Sequence, residues 1–176
     1  MPSTLILIAS YTLSTTTQGL VFNSIPSTYR HLLVKCSLHS NRSAGNDGGI
    51  GIRFNDSATS YDYQQIYVAG STVAGDGGTA FTQTYVQSVG MAQDTQSSSL
   101  FSPLEFTVAN YANTGFYKAV FGSSANAPAS AGNGASGHFS GMWQNTSAIN
   151  KIEIRTNNFG SSSFVANSTY YLYGIQ

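Results

Sequence analysis

The stretch His31-Leu32-Leu33-Val34-Lys35-Cys36-Ser37-Leu38-His39-Ser40 decides the fold class. Leu32, Val34, Cys36 and Leu38 fall on one side of an extended chain, and His31, Lys35, Ser37 and His39 on the other. Such alternation marks a strand with one buried face, because successive side chains of extended backbone point to opposite sides. Residues 150–156 repeat the pattern, with Ile152 and Ile154 inward and Lys151, Glu153 and Arg155 outward. Leu104, Phe106 and Val108 alternate with Glu105 and Thr107 in the same way. Further strand-like runs cover residues 5–13, 19–24, 49–54, 63–69, 81–89, 116–122, 137–143 and 169–175. No stretch sustains helical spacing, and the abundant Ser and Asn compete with the helix backbone for hydrogen bonds. The chain reads as all-β.

Clusters of Gly, Asn, Asp and Ser punctuate these runs at 41–49, 55–60, 70–78, 110–115, 123–136 and 157–163. Many short strands separated by turn signals predict two packed antiparallel sheets, a β-sandwich of jelly-roll type. The linker-like segment 127–137 has strands of the same character on both sides, so residues 1–176 read as a single domain. No repeat of solenoid or propeller period occurs.

Composition narrows the function classes. The 176 residues carry 7 Lys+Arg against 7 Asp+Glu, and only 8% are charged. Without a basic cluster the chain lacks the electrostatic footprint of a nucleic-acid binder. No apolar run approaches the ~20 residues of a membrane-spanning helix, so no membrane partner is expected. Hydrophobic residues at 41% and aromatics at 12% are too many for a disordered chain. A lone Cys36 permits no internal disulfide and fits folding in a reducing cytoplasm. The opening Leu5-Ile6-Leu7-Ile8 lacks a positive flank, so it reads as a first strand and not as a secretory signal.

No constellation points to catalysis, a cofactor or a metal. His31 and His39 lie eight residues apart on the outward face of one strand, ~26 Å at strand rise, and read as surface histidines. His138 has no partner at a fixed spacing. Gly137-His138-Phe139-Ser140-Gly141 imitates part of a nucleophile elbow but falls within a strand, whereas an elbow needs a strand-to-helix turn. Asp56 and Asp62 flank a turn, and Asp47 and Asp76 sit in Gly-rich segments, where Asp and Gly serve to turn the chain. Four Asn-x-Ser/Thr sequons begin at Asn41, Asn55, Asn145 and Asn167. Chance supplies about three in so Ser/Thr-rich a chain.

Tyr61, Tyr63 and Tyr67 share one face of a strand whose other face carries Ile66 and Val68. Tyrosine offers rigid contact area with a polar tip, suited to a partner surface or a stacked sugar. These three are the candidate contact residues. The competing reading puts Tyr63 and Tyr67 against the second sheet, closing the core. Trp143, two residues beyond Gly141 and four beyond Phe139, reads as core.

Several short motifs stand in a definite order along the chain. Leu7-Ile8-Ala9-Ser10-Tyr11-Thr12-Leu13-Ser14 opens the chain, and Ile25-Pro26-Ser27-Thr28-Tyr29 makes a corner before the 31–40 strand. Ile52-Arg53-Phe54-Asn55 follows, and Tyr173-Gly174-Ile175 immediately precedes the last residue, Gln176. In this layout the chain resembles a group of small virion structural proteins of tailed bacteriophages. The resemblance implies a virion location and a capsid decoration or cement protein that reinforces the major capsid lattice, often at local threefolds. The alternative it implies is a receptor- or carbohydrate-binding head on a tail or head fibre, with a host surface glycan as partner. The family brings no catalytic residue. A chain without a coiled-coil or collagen-like stalk favours decoration, and a depolymerase is disfavoured by the lack of a convergent carboxylate pair. Few Lys protect the sheet edges and the Leu5–Ile8 run needs cover on both faces, so a homotrimer is expected.

Overall fold

A computed structural model describes residues 4–42, 49–88, 90–91, 97–126, 134–156 and 162–176, with the backbone alone at 79–82. The described residues form strands, turns and bends without a helix. The first half supplies β1 (Leu5–Thr12), β2 (Gly19–Phe22), β3 (His31–Leu38), β4 (Ile50–Phe54), β5 (Tyr61–Ala69) and β6 (Thr72–Gln83). The second half supplies β7 (Val86–Ser88), β8 (Ser102–Ala109), β9 (Lys118–Asn126), β10 (Ala135–Trp143), β11 (Ile152–Thr156) and β12 (Thr169–Ile175).

Two antiparallel sheets result. The larger runs β1-β12-β3-β8-β9-β10-β5-β6 and the smaller β2-β11-β4-β7. The pairings are nested: β5 with β6, then β4 with β7, β3 with β8, β2 with β11, and β1 with β12. Successive pairs alternate between the sheets, as a long hairpin does when rolled up, and β9 and β10 fill the space between β8 and β5.

One buried cluster joins the sheets. Leu32, Val34, Phe106, Phe139, Tyr61 and Trp143 from the larger sheet meet Phe22, Ile52, Phe54, Ile152 and Ile154 from the smaller. The alternation of 31–38 and 152–156 is therefore realised as inward and outward faces. Full burial of each large apolar side chain contributes ~1.5–3 kcal/mol.

Glycine governs two of the closest approaches. A Cβ on Gly174 of β12 would lie 2.2 Å from the Tyr29 ring, and one on Gly141 of β10 would lie 2.6 Å from Val86 of the opposing sheet. The corner and terminal motifs of the sequence thus pack on each other. Tyr111 completes that corner: its hydroxyl donates to the Pro26 carbonyl and accepts from the Tyr29 amide at 3.4 Å. Asn55, in the left-handed region at φ 50°, uses its side chain to hold residues 148–151. The amide nitrogen donates to the Ala148 carbonyl at 2.9 Å, and the amide oxygen accepts from the Asn150 and Lys151 backbones at 3.0 and 3.2 Å. These motif residues are staples of the fold.

Several expectations need correction. The cluster 70–78 is no mere punctuation: it turns at Gly70, φ 61°, and returns as β6 along β5. Glycines at 75, 77 and 78 erase the period-2 signal there, while the backbone still pairs with β5. The run 81–89 is split, because β6 stays in the larger sheet and β7 crosses to the smaller. The 123–136 cluster opens with four further residues of β9 and closes inside β10, while residues 127–133 lie outside the described set. Asp47 and most of 41–49 also lie outside it, as do residues 157–161. Among the described residues the opening strand pairs with β12 alone and leaves Leu5 and Leu7 about half exposed, so none of them covers it on both faces.

Candidate functional site

Tyr61 and Tyr63 lie inside the sandwich, which corrects their assignment as contact residues. Tyr61 stacks on Trp143 at 6.1 Å and meets Phe54 at 6.2 Å. Its hydroxyl accepts from the Phe54 amide at 2.8 Å, and burial pushes its pKa up to about 12. The Tyr63 hydroxyl donates to Asp76 at 3.3 Å, and burial beside that carboxylate likewise pushes it up to about 12. Tyr67 is half-buried. The smaller sheet covers Tyr61 and Tyr63, and strand alternation leaves Ile66 and Val68 on the opposite, uncovered face.

That outward face is the most site-like surface among the described residues. One rung crosses the larger sheet through Lys35, Glu105, Ser123, His138 and Ile66. The next runs through Leu33, Thr107, Phe121, Ser140 and Gln64. A third joins Ala125, Ser136, Val68 and Val73. Val73 on β6 and Pro103 on β8 line the same hollow although three strands lie between them, so this face is concave. The trough measures about 560 Å³, and a shallower hollow beside it shares Ile66 and His138.

Ile66, Val68, Val73 and Phe121 are exposed at 58%, 43%, 67% and 63%, a large apolar area for open surface. Phe121 and His138 lie parallel, 7° apart with centroids at 6.1 Å. Among the residues lining the two hollows, Glu105 is the one carboxylate and no ammonium or guanidinium occurs. Lys35 neutralises it at 2.7 Å, and the pair raises the lysine pKa chiefly through that hydrogen bond. Both partners are about half exposed, so the pair contributes little to stability. The trough is apolar, aromatic and neutral.

The other candidates resolve as structure. His39 is buried, a correction to its reading as a surface histidine: alternation stops at Leu38, and residues 164–165 cover the chain there. Its Nδ1–H donates to the Leu100 carbonyl at 2.6 Å. His31 accepts the Asn110 amide on Nδ1 at 3.1 Å, and burial with nearby Arg30 lowers its pKa. Cys36 is buried, which raises its thiol pKa and makes it a poor nucleophile. Asp56 pairs with Lys151. Ser140 stands in β10 between Phe121 and Gln64, within a regular strand. No group of three potential metal ligands occurs among the described residues.

Lys118 carried no sequence signal. It is fully buried at the start of β9, and its ammonium donates to the Asn113, Phe116 and Thr146 carbonyls at 2.6, 2.7 and 3.0 Å. Burial lowers its pKa. The trough does leave a trace, since strand alternation places Ile66 and Val68 opposite the tyrosines. No protein-family model, curated protein or solved structure matches the chain.

Proposed function

We propose that the chain is a non-enzymatic virion structural protein, a capsid decoration protein acting as a homotrimer on a lattice of major capsid protein. The observation that carries the assembly part is the bare edge of the larger sheet. There, among the described residues, β1 pairs on one side only and places Leu5 and Leu7 on the surface, 51% and 53% exposed. An apolar edge without Lys or Pro is a template for a further chain unless a partner covers it. Near-absent charge supports cementing by neutral contact area, and the nested pairing supports a jelly roll widened by the β9–β10 insertion. The virion placement rests on the order of motifs in the sequence.

Two measurements test this reading. Sedimentation equilibrium should give a trimer that Leu7→Lys converts to monomer without changing the fold, and a monomer at every concentration refutes it. In purified virions that carry the chain, hundreds of copies support decoration, while a few to tens contradict it. Binding to capsids should change little across moderate salt, because there is little charge to screen.

A further inference from the structure

We propose that the concave outer face of the larger sheet binds a neutral saccharide chain, with Phe121 and His138 as its stacking platform. This is independent of the assembly reading, which uses the β1 edge seven strands away from β6.

The chemistry of the trough selects the ligand. Phe121 and His138 project from neighbouring strands and lie parallel, so together they present aromatic surface where apolar C–H groups of a pyranose can pack. Around them stand Gln64, Ser123, Ser136 and Ser140. Within the described residues none of these four side chains is engaged in a hydrogen bond. Hydroxyls and amides that both donate and accept match sugar hydroxyls, which do the same.

Charge and shape argue in the same direction. With Glu105 held by Lys35, the described lining carries no unpaired Lys, Arg, Asp or Glu to attract an acidic or basic ligand. A flat apolar protein surface would bury the unengaged serines and Gln64 without partners, which is costly. Two copies could not mate these faces directly, since both are concave. A volume of about 560 Å³ suits a short chain of rings. Ile66, Val68 and Val73 line one wall and would take the apolar edges of such rings.

Affinity electrophoresis of the purified chain through gels containing dextran, hydroxyethylcellulose, galactomannan or yeast mannan, with alginate as anionic control, tests the proposal. At least one neutral polymer should retard the protein. Phe121→Ala and His138→Ala should each weaken that retardation about tenfold or more. Their melting temperatures should stay at the wild-type value, because both side chains are exposed. Tyr11→Phe, on β1 and outside the lining of both hollows, should bind as wild type. Retardation by none of the neutral polymers, by alginate alone, or equally in Phe121→Ala overturns the proposal. So does self-association that Phe121→Ala abolishes, which would assign the face to a second copy. The oligomer measurement with Leu7→Lys reads the β1 edge separately, so either idea can fail alone.

Discussion

The two faces of β5 make the sharpest contrast in the molecule. On one side Tyr61 and Tyr63 are 0% and 8% exposed, packed among Phe54, Trp143 and the opposing sheet. On the other, three and five residues beyond Tyr63 along the same strand, Ile66 and Val68 stand about half in water. Each face carries a similar apolar load. What separates them is cover: four strands lie across one side of an eight-stranded sheet, and among the described residues nothing lies across the other. Even the inner face loses its cover toward the end of β5, where Tyr67 is only half-buried. Apolar character alone therefore does not assign a face, and the uncovered one is where function is sought.

The contrast breaks most visibly at its inner side. Tyr61→Ala should cost ~3–5 kcal/mol, since it removes a buried ring shared by both sheets, and urea unfolding would measure the loss. Lys118→Met should cost about 3 kcal/mol, because three carbonyls lose their donor together. Ile66→Ser should change stability by about 0.5 kcal/mol or less, as at an ordinary surface site. A loss comparable with that of Tyr61→Ala would show that the outer face is covered.

The smallest effect concerns pH. His31 has a lowered pKa in the fold, so the unfolded chain takes up its proton first as pH falls below about 6.5. Protonation then favours unfolding, and stability should decline from pH 7.5 to 5.5. His31→Asn should flatten part of that decline in melting temperature.

The sequence made strands legible wherever residues alternate, as in 31–38 and 152–156. It failed where glycine removes the side chains that carry the pattern, so residues 72–78 of β6 read as a turn cluster. Two buried polar anchors, Lys118 and His39, were also illegible. Thr146 for Lys118 and Leu100 for His39 become neighbours only after folding, and the nearby Asn113 and Phe116 carbonyls turn onto the ammonium only in the folded loop. The pairing of Tyr29 with Gly174 likewise spans the chain, although each residue stood within a visible motif. For the candidate site, strand parity put Ile66 opposite Tyr63 correctly. Which face turns inward depends on the partner sheet, and no local pattern encodes that.

Thiol reactivity tests the assignment of faces most directly. Cys36 is buried and its thiol pKa is raised, so it serves as a protected internal reference. In an Ile66→Cys variant under native conditions, a chromogenic disulfide reagent should titrate one thiol rapidly and the second only on unfolding. A protected Cys at position 66, with no fast thiol until the protein unfolds, would contradict the account.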